Sequence, residues 1–243
     1  MRLTITLSTE NQIRLPLHYN YLVQSLIYGC LESDFASFLH NTGYEIDGRR
    51  FKLFTFSRLI GRYRISEKEI CFEPPVRLIV SSPNSDFCSH LLNGLLSKKS
   101  IQLGDNVLEV ETIDTEKSVV TKENLKVRLQ SPVVVYSTLF KADGRKYTCY
   151  FQPGETEFAN LIADNLRRKY RACYGQAPPE ADIRITCLQR PRLHVVRYKT
   201  TVIKGYSGAL RIQGPTALLQ LAVEAGLGAK NSMGFGCCEI IED

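Results

Sequence analysis

The apolar pattern of this chain runs twice through one order, strand, helix, strand, strand, helix, strand, and that double pass leaves few folds open. In the first pass, residues 2–8 alternate as a half-buried strand does. Tyr19, Leu22, Val23, Leu26, Ile27 and Cys30 then recur at helical spacing. A short helix follows from Asp34, with Phe35, Phe38 and Leu39 toward the core. Asn41 to Arg50, with Gly43, Asp47 and Gly48, reads as a loop or hairpin tip. Phe51 to Arg64 and Glu69 to Ser81 read as paired strands. Asn84 to Lys98 is a helix burying Phe87, Cys88, Leu91 and Leu95, and Ser100 to Ile113 is the closing strand. After a polar interval, Asp114 to Lys122, the order repeats. Leu125 to Tyr136 is a strand, and Asp143-Gly144 turns an added hairpin that returns through Tyr147 to Phe151. Thr156 to Tyr174 is an amphipathic helix stopped at Gly175. Asp182 to Gln189 and Leu193 to Gln213 are strands, Pro215 opens a last helix at its first position, and Phe235 to Ile241 is the final strand. The expected fold is α+β, two tandem ferredoxin-like units at residues 1–118 and 119–243. Many functions share that architecture, so it names none.

Charge narrows the field. The net charge is +6, but its distribution says more. No acidic residue occurs from Ile183 to Val223, where Arg184, Arg190, Arg192, Arg197, Lys199, Lys204 and Arg211 fall. None occurs from Gly48 to Ser66, which holds Arg49, Arg50, Lys52, Arg58, Arg62 and Arg64. Phe51, Phe54, Phe56, Tyr63, Tyr198 and Tyr206 are interleaved with these cations. Cations meet phosphates and rings stack on bases, so single-stranded nucleic acid suits the mixture. The eight cysteines include no Cys-x-x-Cys, and the four histidines are scattered singly, so no metal and no cofactor is expected. No run reaches the roughly 18 apolar residues of a membrane span, and the N-terminus lacks a signal-peptide core, so a cytoplasmic location with no membrane partner is expected.

Between the last helix and the last strand, Gly226 to Gly236 carries four glycines in eleven residues. Its amides could line an anion-binding concavity with Lys230. Familiar nucleotide loops run strand, loop, helix, the reverse of this order. A helix cap at Gly226 followed by a tight turn is the plainer reading.

Particular segments go further than pattern. Leu15-Pro16-Leu17-His18-Tyr19-Asn20-Tyr21-Leu22-Val23-Gln24-Ser25-Leu26-Ile27-Tyr28 resembles the start of the CRISPR-associated repeat-RNA endoribonucleases, which cut precursor CRISPR RNA within each repeat. Lys52-Leu53-Phe54-Thr55-Phe56-Ser57 resembles their second strand. Val223 to Gly236 closely resembles their C-terminal glycine-rich signature. Leu92 to Leu96 and Tyr174 to Pro179 are similar more loosely.

The resemblance implies metal-independent cleavage, in which a substrate 2′-hydroxyl attacks the adjacent phosphorus and leaves a 2′,3′-cyclic phosphate (or 3′-phosphate) and a 5′-hydroxyl. It implies His40 as the proton-transfer residue, Tyr28 as the group that orients the hydroxyl or shares that transfer, and Lys52 as the cation stabilising the phosphorane. The helical wheel independently sets Tyr28 and His40 off their apolar stripes. A glycine-containing insertion separates His40 from Lys52, which makes Arg49, Arg50 or Arg58 alternatives to Lys52, and His18 is the reserve for proton transfer. For RNA contact the expected residues are Arg49, Arg50, Arg58, Arg190, Arg192, Arg197, Lys199, Lys204, Gly226, Gly228, Lys230, Asn231, Gly234 and Gly236. The implied partner is CRISPR repeat RNA, precursor and mature, with further interference subunits or a second copy as additional partners. A non-cleaving CRISPR RNA-binding subunit is the alternative function.

Overall fold

The computed structural model describes residues 1–140 and 142–241. The first half runs β1 (Arg2–Ser8), β2 (Ile13–Pro16), α1 (Asn20–Gly29), α2 (Ser33–Asn41), β3 (Tyr44–Ile46), β4 (Arg49–Phe51), β5 (Thr55–Phe56), β6 (Ile60–Ile65), β7 (Glu69–Ser81), α3 (Ser85–Leu96), β8 (Ile101–Leu103) and β9 (Asn106–Glu116). The second runs β10 (Asn124–Leu129), β11 (Tyr136–Phe140), β12 (Lys146–Tyr150), α4 (Thr156–Tyr174), β13 (Arg184–Cys187), β14 (Arg192–Tyr198), β15 (Thr201–Ser207), β16 (Ala209–Gln213), α5 (Thr216–Ala225), a single 3-10 turn (Asn231–Met233) and β17 (Cys238–Ile240).

In the first sheet β1 lies between β7 and β9, and β5 and β6 flank β7. In the second, β10 lies between β16 and β17, and β13 flanks β16. Both sheets therefore have the antiparallel ferredoxin-like order, fourth strand, first, third, second. The alternation in β1 turns Leu3, Ile5 and Leu7 inward against α1 and α3. Phe54 and Phe87 stack at 4.6 Å within that core. A separate core gathers Val127, Leu210 and Ile212 from the second sheet with Phe158, Ile162, Leu166, Leu218 and Ala222 from its helices.

Several elements depart from the sequence reading. Ile13–Pro16 forms a strand on β7. The expected strand Phe51–Arg64 is broken, because Phe51 pairs back to Tyr44 and Leu53 adopts φ 52°. The expected strand Leu193–Gln213 is three strands, turning at Lys199 (φ 52°) and Gly208. Pro215 caps α5 with extended backbone (ψ 133°) and is not its first helical residue. In α2 only Leu39 is buried; Phe38 is 37% exposed, its ring edge-on to Tyr44 at 5.5 Å.

The first unit is held closed where α3 crosses the end of α1. A Cβ at Gly94 would lie 1.7 Å from the Cys30 carbonyl oxygen, so only glycine lets the backbones approach. Gly94→Ala must force the helices apart, at about 1–3 kcal/mol or more, lowering Tm by roughly 5–10 °C. Gly29→Ala, where nothing lies within 4 Å, should leave Tm within about 2 °C in the same thermal melts.

Candidate active site and nucleic-acid interface

Helix α1 carries Asn20, Gln24 and Tyr28 four residues apart, hence on one face. Tyr28 is half-buried, packed edge-on against Phe54 at 6.0 Å, so it is closer to the core than the helical wheel implies. Burial, with Tyr198 nearby, pushes its hydroxyl up to about 12, which keeps it a proton donor at neutral pH. His40, exposed on the last turn of α2, sets its ring perpendicular to that of Tyr28 with centroids 6.4 Å apart. Its Nδ1 lies 2.9 Å from Asn41 Oδ1. An amide oxygen only accepts, so Nδ1 carries the proton toward it and, in the neutral ring, Nε2 carries the lone pair.

Lys52 completes the group. Its Nζ donates to the His40 carbonyl at 3.0 Å, and burial, then the Arg50 charge, hold the ammonium below its usual range. The residues inserted between His40 and Lys52 do not carry Lys52 away. They fold outward as the β3–β4 hairpin, whose tip Asp47 pairs with Arg171 of α4. The chain leaves at Gly43 (φ 63°), where a Cβ would lie 3.2 Å from Lys52 Nζ and 2.6 Å from the Phe51 carbonyl oxygen. Arg50 is tied to Glu45 and to the Asn41 carbonyl, and Arg49 is exposed.

Lys52 also lines a cleft of about 550 Å³ between the two halves of the chain. Arg49, Arg50, Arg168 and Lys230 share its wall, and among the described residues no carboxylate does. Lys230, at φ 61°, sets its Nζ 5.3 Å from the centroid of the Tyr136 ring. The remaining expected cations, Arg190, Arg192, Arg197, Lys199 and Lys204, are exposed on or beside the β14–β15 hairpin, away from that wall. Arg58 is half-buried and bonded to His194, also away from Lys52. His18 stands just before α1, held below its usual range by burial and by Arg197 and Arg58.

The glycine loop, expected to contact RNA directly, faces largely inward, with Gly228, Lys230 and Asn231 on the wall of the cleft. Gly226, Gly228, Asn231, Gly234 and Gly236 are buried. A Cβ at Gly228 would meet the Val134 carbonyl oxygen at 2.5 Å, and one at Gly234 the Phe56 ring at 2.4 Å. The loop carbonyls are taken up by side chains of both halves. Asn20 donates to Met233 and Gly234, Gln24 to Ser232, and Thr55 to Phe235. Lys169 donates to Gly226 at 2.6 Å and to Gly228 at 3.2 Å. Of the loop's expected contact residues, Lys230 alone reaches the cleft with a charge.

Sequence reasoning missed Lys169, although its position had a signal: it sits three residues after Leu166, on the apolar stripe of α4. It also missed the pairing of His194 with Arg58 and Ser207, two contacts far apart in sequence. His90 stacks on Phe35 at 4.6 Å and pairs with Glu32. Among the described residues no three His, Cys, Asp or Glu side chains converge as a metal site would need, and no helix is long and apolar enough to cross a membrane.

Known proteins match along the whole chain. Residues 14–114 match the family model described as CRISPR-associated protein Cas6, N-terminal, and residues 114–240 that described as CRISPR associated protein Cas6, C-terminal. The CRISPR-associated endoribonuclease Cas6 1 of Methanocaldococcus jannaschii is 29% identical over 100% of this chain and 94% of its own length. The CRISPR-associated endoribonuclease Cas6 of Pyrococcus furiosus is 30% identical over 99% of this chain and 90% of its own. A solved structure described as that of a Cas6-related gene from Pyrococcus furiosus superposes with a TM-score of 0.86 at 26% identity, covering 100% of this chain and 99% of that one.

Burial pushes Lys169 down to about 7, against an ordinary value of 10.5. Between those values the unfolded chain binds a proton that the folded chain does not, so this group makes stability rise with pH there. Lys169→Met lacks that dependence. The urea midpoint of the native protein should therefore rise relative to that of Lys169→Met from pH 7 to pH 9; a constant difference would remove the assignment.

Proposed function

The chain belongs to the Cas6 family of CRISPR-associated endoribonucleases, and from that premise we propose that it cuts precursor CRISPR RNA within each repeat without a metal ion. The observation that carries the reading is the meeting of Tyr28, His40 and Lys52, from three separate elements, at one end of α1. The nucleophile is the substrate's own 2′-hydroxyl, so the protein must align it, move protons and offset charge.

His40 Nε2 takes the 2′-hydroxyl proton as the oxygen attacks phosphorus. The P–O5′ bond breaks, and the departing oxygen takes up a proton to become a 5′-hydroxyl, leaving a 2′,3′-cyclic phosphate. Tyr28, protonated before the reaction, orients the 2′-hydroxyl or supplies the leaving-group proton and is reprotonated afterwards. Lys52 moves its Nζ from the His40 carbonyl to the non-bridging oxygens, where charge develops. General base catalysis of this kind is worth roughly 10²–10⁴-fold, and a single well-placed cation of the same order. The unit at residues 1–118 supplies all three groups, and that at 119–243 supplies the loop, the far wall of the cleft and the basic hairpin. Arg49, Arg50 and Lys230 carry the RNA toward them through the acid-free cleft.

End-labelled cognate repeat RNA in excess EDTA should yield a cyclic-phosphate product. A single 2′-deoxy at the scissile nucleotide should leave the RNA bound and intact. His40→Ala should lower the single-turnover rate roughly 10²–10⁴-fold, and Lys52→Ala about 10²-fold with partial recovery in Lys52→Arg. A His40→Ala protein that cuts at the native rate would refute the site. Binding with no cyclic phosphate would leave a non-cleaving RNA-binding subunit.

A further inference from the structure

Arg58 is a cation with no counter-charge. It sits between β5 and β6, its backbone N–H bonded to the Gln130 carbonyl at 3.1 Å and its side chain largely removed from water. Among the described residues no carboxylate forms an ion pair with it. Its guanidinium approaches His194 Nδ1 at 3.2 Å, and His194 Nε2 lies 2.6 Å from Ser207 Oγ. A guanidinium can only donate, so Nδ1 accepts and the imidazole proton sits on Nε2, toward Ser207. His194 is thereby fixed as a neutral ring, consistent with burial and the charges of Arg58 and Arg192, which push it down to about 4. A neutral base thus aims Arg58 where a carboxylate would usually do so, and leaves its charge unspent.

More positive charge lies there. Arg192 stands two residues before His194 on the same face of β14, and His18 adjoins Tyr19, whose hydroxyl accepts at 3.1 Å from the N–H of Leu59, the residue after Arg58. Like charges gathered around a half-buried guanidinium are unfavourable unless an anion joins them. Tyr63 on β6, the strand that follows Arg58, is 55% exposed and tilts its ring against Phe72 at 5.6 Å, leaving the ring open to solvent. Phosphate with an adjacent base answers both features.

We propose that Arg58, Arg192 and His18 bind one phosphate of the RNA other than the scissile one, with His194 and Ser207 positioning Arg58 and Tyr63 stacking on a neighbouring base. His18 stands just before Asn20, the first residue of α1, and Tyr28 is eight residues along it, a rise of roughly 12 Å, so this subsite lies at the opposite end of the helix from the cutting groups. It sets which nucleotide reaches His40. This deepens, and rests on, the reading of the chain as an enzyme that cuts repeat RNA.

The test uses cognate repeat RNA carrying one 2′-deoxy at the scissile nucleotide, so that binding is read without cleavage. Arg58→Met should weaken binding about tenfold and lower the slope of log affinity against log salt by about one. His194→Leu should lose most of the same affinity. His194→Gln, whose amide can accept from Arg58 and donate to Ser207, should recover it. A scan of single neutral methylphosphonates should find one linkage, away from the cut, that weakens the native protein about tenfold and Arg58→Met not at all. The native arm of the scan decides by itself whether such a linkage exists, even if a variant misfolds. Equal weakening at that linkage in both proteins, or no such linkage, overturns the subsite. His194→Gln no better than His194→Leu overturns the positioning role. If the native protein binds no RNA, the functional reading fails by itself. Proton NMR of the four histidines then judges the subsite, because inorganic phosphate should move His18 and His194 in the native protein and not in Arg58→Met. Unmoved signals overturn it.

Discussion

The carbonyl oxygens of the glycine loop set the terms for the rest of the molecule. A buried peptide oxygen without a partner costs about 1–3 kcal/mol, and this loop buries a series of them between two cores. Leu227 and Phe235 are served from within by Asn231, which bends the loop back on itself. Phe235 also accepts from Thr55 on β5, and Gly226, Gly228, Ser232, Met233 and Gly234 are served from outside the loop, by Lys169 on α4 and by Asn20 and Gln24 on α1. The loop can close only when both halves of the chain are in place. Because Asn20 and Gln24 share a helical face with Tyr28, the same bonds fix how α1 presents its last turn.

This arrangement explains the glycines better than a phosphate cradle does. A side chain at Gly228 or Gly236 would strike backbone, one at Gly234 the Phe56 ring and one at Gly226 the Asn231 and Thr55 side chains, while the amides of Leu227, Ala229 and Gly236 are bonded to carbonyls of the protein. Charge reaches solvent through Lys230. The two halves then enclose a cleft in which cations from α4, from the loop and from the β4–β5 segment meet without an acid.

The order of elements was legible because each half repeats strong local signals: alternation in β1, capping by Asn84, Gly175 after α4. The places that resisted reading share a cause. Leu53 takes a left-handed backbone although it is no turn former. It does so because it is buried against Leu221 and Ala225 of α5, 168 and 172 residues onward by their numbers. Lys199 and Thr200 turn the β14–β15 hairpin without glycine or asparagine, so the run looked continuous. For the site, His40 and Tyr28 were visible as polar groups off the apolar stripes. The use of Lys169 and His194 was not, since each gains its meaning from partners distant in sequence.

The β3–β4 hairpin has a broader consequence. Its strands pair only with each other, its tip is held to α4 through Asp47 and Arg171, and the chain enters and leaves it beside the same lysine. Chain length between His40 and Lys52 is therefore uncoupled from the distance between them. Natural insertions or deletions at its tip would alter the outer surface while the reacting geometry stayed constant. Alignments that count residues from the histidine would misplace the lysine, whereas alignments anchored on the strand that follows would find it. The tip is also the natural place to graft a label or an affinity tag.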